Sequence, residues 1–208
     1  MLRPVRWRTV ASGATAALAA VALTAAPASA ATVAPAGCPD VPTVQPFAPW
    51  SDFADYLLAP DGGFENGAAG WTLEDGARAV EGNEPFAVGA AADHRSLALP
   101  AGARATSAPI CIGEEHKTMR FFATSSRPGV GAVAVEALIT KRNGNERSVN
   151  LGTVRSDGDW AASDALPMRV NELAADYGNA MSVSLRFTVR GNSAWQIDDV
   201  YVDPYRTK

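Results

Sequence analysis

The stretch Ser182-Val183-Ser184-Leu185-Arg186-Phe187-Thr188-Val189-Arg190 decides how the rest of the chain is read. Its apolar residues fall on every second position, and the positions between them hold serine, threonine or arginine. Side chains of an extended strand alternate between two faces, so this period of two predicts a strand with one face in a core and the other in water. Val133, Val135, Ala137 and Ile139 repeat the pattern before Lys141-Arg142-Asn143-Gly144-Asn145, and Val149, Leu151 and Val154 resume it afterwards. Asn143-Gly144 supplies the positive φ angles of a tight turn, so these two runs read as a hairpin.

Outward from this centre, short apolar runs at 96–99, 105–112, 117–124, 160–164 and 195–203 are separated by glycine, proline, asparagine and aspartate. About eight to ten short strands with such punctuation predict an all-β chain of two packed antiparallel sheets. The segment 170–177, containing leucine and alanine and closed by Gly178, reads instead as a helical turn.

Upstream, prolines at 35, 39, 42, 46 and 49 exclude regular helix or a central strand from 31–49, which is expected to be an extended leader. Trp50, Phe53 and Leu57 then recur at helical spacing, with Ser51 as a cap and Asp52 and Asp55 in the first turn, so 50–58 predicts a short amphipathic helix. Ala59-Pro60-Asp61-Gly62-Gly63 ends it with turn chemistry. Residues 31–60 are thus a Pro-rich leader with a short helix, and 61–208 the sandwich domain.

Residues 1–30 have the pattern of a cleavable export signal. Arg3, Arg6 and Arg8 precede an apolar run over 10–26, no acid occurs before Asp40, and Ala28-Ser29-Ala30 puts small residues where a signal peptidase cuts. The run is rich in alanine rather than in leucine, isoleucine or phenylalanine, which separates it from a membrane anchor. No second apolar run of spanning length follows, so the expectation is a secreted, extracellular product with no membrane span after cleavage. The chain carries a formal charge of −4, and cleavage removes three arginines and no acid. That balance argues against nucleic acid, whose phosphates need a basic stripe. Cys38 and Cys111 are the two cysteines; in an oxidising compartment the pair reads as a disulfide, the alternative being two free buried thiols.

Two further stretches are informative together: Gly62-Gly63-Phe64-Glu65-Asn66-Gly67 with Gly70-Trp71, and Trp195-Gln196-Ile197-Asp198-Asp199-Val200-Tyr201-Val202. They resemble the opening and closing segments of galactose-binding-like jelly rolls, especially the carbohydrate-binding modules of families 4, 9 and 22. The likeness by motif covers only these two ends. It implies a jelly-roll β-sandwich in which the two segments meet, and a structural Ca²⁺ near the meeting point. Glu65 and either Asp198 or Asp199 would be its carboxylate ligands, with backbone carbonyls around Gly63 completing the roughly six to eight oxygens such an ion takes. From the residues alone, adjacent acids in a strand repel unless they are solvated or neutralised by a cation, and Glu65 facing water or an ion pair stays open. Strand parity puts apolar residues on both faces of 195–202, so it does not decide which aspartate turns inward.

The resemblance also implies a glycan ligand, an extracellular or cell-wall polysaccharide, contacted by exposed aromatic rings. Trp160, beside the turn Asp157-Gly158-Asp159, and Phe86, in a loop after Asn83-Glu84-Pro85, are the candidate ligand contacts. Trp71 and Trp195 read as core, and Trp50 as an anchor of the leader. Catalytic signatures such as G-x-S-x-G, H-E-x-x-H and C-x-x-C are absent, and no catalytic residue is assigned. His94 and His116 sit in charged stretches and are expected to be solvated. The reading is therefore a secreted, non-catalytic carbohydrate-binding module. An extracellular structural or protein-interaction domain and a glycan-active hydrolase or lyase on the same fold are the alternatives.

Overall fold

The alternation resolves into thirteen strands. In the computed structural model, which describes residues 37–140 and 144–204, these are β1 (Leu57–Leu58), β2 (Thr72–Glu74), β3 (Arg78–Glu81), β4 (Arg95–Leu99), β5 (Arg104–Thr106), β6 (Ile110–Gly113) and β7 (His116–Ser125), followed by β8 (Ala132–Thr140), β9 (Glu146–Val154), β10 (Ala161–Ala162), β11 (Leu166–Pro167), β12 (Ala180–Arg190) and β13 (Trp195–Pro204). A seven-stranded sheet has the order β10-β7-β13-β4-β3, with β1 also on β13 and β11 also on β7. A six-stranded sheet has the order β2-β5-β12-β8-β9, with β6 also on β12. The pairings are antiparallel, and the two sheets pack face to face as the jelly-roll sandwich expected. The signal reading of residues 1–30 lies outside the described residues, and so does Asn143 of the expected turn. The strands flanking that turn pair from Thr140↔Glu146 onward, as a hairpin requires.

The core lies between the sheets. Strand β12 contributes Met181, Val183, Leu185, Phe187 and Val189, the alternating set read from sequence plus one residue. Met119, Phe121 and Ala123 of β7 and Trp195, Ile197, Val200 and Val202 of β13 meet them from the other sheet. The expected helical turn is a 3₁₀ segment, Asn171–Tyr177, stopped by Gly178 at φ 87°. No helix among the described residues is long and apolar enough to cross a membrane.

The leader packs on the outer face of the seven-stranded sheet. Phe47 is fully buried and forms, with Tyr56, Phe122 and Tyr201, a second apolar cluster separate from the main core. Phe47 stacks on Phe122 at 5.3 Å and meets Tyr56 edge-on at 4.9 Å. Arg120 lies 4.3 Å over the Phe47 ring and donates to Asp52 at 2.6 Å, and the Tyr56 hydroxyl donates to the same carboxylate at 2.8 Å. Cys38 and Cys111 form a disulfide with a Cα–Cα distance of 5.5 Å, tying the leader to β6 of the opposite sheet.

The leader's helix is shorter and earlier than its spacing suggested. It is a single 3₁₀ turn, Ala48–Trp50, and Ser51 is not its N-cap but its C-cap, at φ 62°. A residue in that left-handed region stops the helix. Trp50 then packs on Phe122, and Leu57-Leu58, the end of the supposed helix, become β1 against Val202 and Tyr201. Apolar residues that serve two different surfaces give an accidental helical spacing.

The two motif-bearing ends meet as expected, through a turn rather than a strand at Phe64. Ala59 N–H donates to Val200 O at 2.8 Å, and Val200 N–H donates to Gly62 O at 3.0 Å. Any Cβ at Gly62 would sit 2.8 Å from Val200 O, so this approach requires glycine.

Candidate functional site

Two features of the seven-stranded sheet carry chemistry: a buried acidic nest at the meeting of the ends, and an open polar groove on its outer face.

The nest is built by a bulge. Asp198 pairs opposite Phe122 and Tyr201 opposite Arg120, so β13 has an extra residue there, and Asp199 takes φ 49°. The bulge resets the parity that was ambiguous in sequence. Val200 and Val202 return to the core, while Tyr201 joins the outer cluster. Both aspartates are buried. Asp198 uses both oxygens, accepting from Glu84 N–H at 3.3 Å and from Asp199 N–H at 2.9 Å. Asp199 lies beside Gly63, where a Cβ would be 3.2 Å from Asp199 Oδ1, and beside Gly89, where it would be 3.1 Å away. Asp199 Oδ2 is buried without a hydrogen-bond partner.

More acids close in on Asp199 than sequence reasoning proposed. Glu84, in the loop after β3, is buried and accepts from the Phe86 and Val88 amides. Asp93 accepts from Ala90 N–H at 2.6 Å. Glu65 holds the loop's other end, accepting from the His94 and Arg95 amides at 2.9 and 2.8 Å and meeting His94 Nδ1 at 2.9 Å. Burial, the charges of Glu84 and Asp93, and then that of Glu65 raise the Asp199 pKa to about 7. Burial and the neighbouring Asp199 raise that of Asp198 to about 9. The expected ligand residues Gly63, Glu65 and Asp199 thus share one neighbourhood, whereas Asp198 is engaged by backbone amides. The orphaned Asp199 oxygen is of the kind a hard divalent cation takes, although among the described residues the acids of the nest do not form a group of three whose oxygens lie within 4.8 Å of one another.

The groove is built by register. Across the outer face, Arg78 of β3 pairs with Ala98 of β4, Ala98 with Gln196 of β13, and Gln196 with Thr124 of β7. Ala161 pairs with Ala123, so the preceding Trp160 comes opposite Thr124, and Thr124 Oγ1 donates to Gly158 O at 2.6 Å beside it. Trp160, the residue before β10, and Thr124, Gln196, Ala98 and Arg78 on four strands therefore form one row. The row's four inter-strand spacings of about 4.8 Å make it roughly 19 Å long. Arg78, Ala98, Thr124 and Gln196 line a groove of about 330 Å³. That lies near the lower end of the roughly 300–1,000 Å³ of small-molecule sites. Trp195 also lines it, and its Nε1 is buried without a partner.

Of the two aromatics expected to contact ligand, Trp160 is half-buried at the edge of this row, against the leader cluster. Phe86 is 42% exposed, yet it packs edge-on against Trp50 at 4.9 Å and against Phe122 at 5.5 Å. Trp71 and Trp195 are core, as read. His94 is exposed, but His116 is not solvated. It opens β7, is 2% exposed, and its Nδ1 accepts from Gly113 N–H at 3.0 Å. The tight turn between β6 and β7 brings that ring inward, which local charge could not reveal. Sequence reasoning missed Arg78, Thr124 and Gln196, whose only signal was the parity of strands that had not yet been paired.

A second cavity, also about 330 Å³, lies where the leader crosses the sandwich edge, lined by Pro39, Val41, Pro42, Leu57, Leu58 and the disulfide. Cys38, Glu115 and His116 converge there, but the Cys38 sulfur is bonded to Cys111 and offers no thiolate to a metal.

No family model matches the chain, and no curated protein does. Solved structures do. The N-terminal carbohydrate-binding and catalytic modules of Clostridium thermocellum endo-1,4-beta-D-xylanase 10B, complexed with xylohexaose, match at 14% identity over 68% of this chain, with a TM-score of 0.50. The match spans 27% of that chain, so this protein corresponds to about a quarter of it. The CBM22-1 xylan-binding domain of Paenibacillus barcinonensis matches at 15% identity over 74% of this chain and 97% of its own, with a TM-score of 0.49. The likeness is one of fold.

Proposed function

We propose that the chain is a secreted, non-catalytic carbohydrate-binding module that seats a polysaccharide in the groove on the outer face of its seven-stranded sheet. The observation that carries this reading is the row from Trp160 to Arg78. An aromatic ring at one edge offers a surface for pyranose C–H groups. Thr124 and Gln196 offer hydroxyl and amide groups to sugar hydroxyls, and the small side chain of Ala98 keeps the floor low. Groups so arranged bind and orient a chain of sugars. The buried pair Asp198 and Asp199 lies beneath the 82–95 loop, two to three residues along β13 from Gln196, and is given no catalytic part.

The acidic nest is read as the seat of a structural Ca²⁺. Asp199 would be the central ligand, with Asp93, Glu84 and Glu65 near enough to feel its charge and carbonyls of the Gly63 turn available. The ion would supply positive charge that the nest itself lacks, pinning the 82–95 loop to the turn after β1. Export is supported by the disulfide, which belongs to oxidising compartments.

A glycan array probed with the protein tests the main reading, with xylohexaose as the first ligand. Saturable binding that Gln196→Ala and Trp160→Ala weaken about tenfold or more is the expected result, the loss of one or two polar or stacking contacts. Silence across the array would favour a second reading, attachment of a protein partner. Val41 and Leu58, exposed at the disulfide cavity, are the observation behind that alternative.

A further inference from the structure

Arg78 is the cation that lines the groove, and it differs from the four arginines of the sandwich that hold ion pairs. Arg95 pairs with Glu81 at 3.0 Å, Arg104 with Glu74 at 3.6 Å, Arg120 with Asp52 at 2.6 Å and Arg186 with Glu136 at 3.0 Å. Glu74 and Glu81 are thus engaged by other arginines, and among the described residues Asp75, the nearest acid before it in sequence, makes no ion pair with Arg78. Arg78 Nη1 donates to the carbonyl of Gly76 at 3.3 Å, and its guanidinium has no carboxylate partner among the described residues. Nor does any carboxylate line the groove it borders. The groove thus has a guanidinium at one end and no acid in its lining, whereas the cavity lined by Arg155 also holds Asp164.

We infer that the glycan taken by this groove is an acidic one, carrying a uronate carboxylate that Arg78 receives while the neutral part of the chain lies along Gln196, Thr124 and Trp160. This inference rests on the reading of the groove as a glycan site and adds the substrate class. The guanidinium is planar, always charged, and presents two parallel N–H groups that match a carboxylate, which a neutral hydroxyl cannot exploit equally. Ala98 separates Arg78 from Gln196 in the row, so the charged substituent would project toward the β3 edge, about three strand spacings from Thr124. The net negative charge of the chain disfavours non-specific attraction of a polyanion.

The test uses two matched pairs of probes in titration calorimetry. The first is xylohexaose against a xylo-oligosaccharide carrying one glucuronate, and the second is methyl-esterified against free oligogalacturonate. In whichever pair binds, the acidic member is expected to bind about tenfold tighter. Arg78→Gln is expected to erase that preference, the acidic member losing about tenfold more affinity than the neutral one, because an amide keeps hydrogen-bonding capacity without charge. The preference is also expected to shrink as salt rises from about 0.05 M to about 0.5 M. Equal affinity for the two members, or a preference that survives Arg78→Gln, overturns the inference and leaves glycan binding standing. Silence of all four probes, together with a silent array, removes the glycan reading itself.

Discussion

The two outer faces of this sandwich are made of the same alternating strands and have opposite characters. On the six-stranded sheet, Arg186 lies opposite Glu136 in register and bonds it at 3.0 and 3.1 Å, with Ser148 donating to the same carboxylate and Glu146 3.8 Å from the guanidinium. The charges at the centre of that face are satisfied internally. On the seven-stranded sheet one half is sealed by the leader over Phe122 and Tyr201, and the other half leaves Arg78, Thr124 and Gln196 to the solvent. A strand's outward residues stay open to a ligand where no segment covers them, and Arg78 among them also lacks a carboxylate partner among the described residues.

The contrast is broken most severely at the sealed half. Phe47→Ala removes a fully buried ring from a four-member cluster, and a loss of about 3–5 kcal/mol in denaturant unfolding is expected. Replacing Cys38 and Cys111 by serine frees a leader now closed over 73 residues and is expected to cost about 4 kcal/mol in the chain-entropy picture, read by the same melt. If the leader were only draped over the sheet, both changes would have small effects.

The acidic nest sharpens the comparison through pH. Asp198 and Asp199 have folded pKa values raised to about 9 and about 7, above the usual carboxylate range. A group raised in this way stabilises the fold fully at low pH and loses that contribution as pH rises through the folded value. Protein stripped with chelator is therefore expected to lose melting temperature steadily from about pH 4 to pH 9, and added Ca²⁺ to restore it most at the alkaline end. A melting temperature indifferent to chelator throughout would remove the ion from the account.

The smallest stability effects belong to the two open surfaces, and they separate site from scenery. Glu136→Gln breaks a partly exposed pair and is expected to cost up to about 1 kcal/mol with no change in glycan affinity. Gln196→Ala is expected to change stability by no more than about 0.5 kcal/mol while weakening glycan binding. A reversal of these two, with Glu136 governing binding, would move the site to the other sheet.

How much of this could be read in advance depends on the range of the interaction. The period of two at 182–190 needs only neighbouring residues, so β12 and its buried face were legible. The disulfide was legible because Cys38 and Cys111 had only each other as partners. The 50–58 helix failed because Trp50 and Leu57 answer to surfaces far away in sequence, the first to Phe122 and the second to Val202. The nest was half legible. Gly63, Glu65 and Asp199 stood in the motifs, but Glu84 and Asp93 enter through a loop whose return over β13 no local pattern records. The groove was nearly invisible, since Arg78, Thr124 and Gln196 belong to three strands and become neighbours only after pairing. Of its members, only Trp160 had a chemical character that drew notice by itself.

The central claim is that sugar lies along the row on the open half of the seven-stranded sheet. Titrating ¹⁵N-labelled protein with the glycan that binds best, and following amide shifts residue by residue, tests it most directly. The account predicts that the largest shifts cluster at Arg78, Ala98, Thr124, Gln196 and the Trp160 indole, with Glu136, Ser148 and Arg186 unmoved. Shifts centred on the six-stranded face, or on Val41, Leu58 and the disulfide cavity, would contradict it.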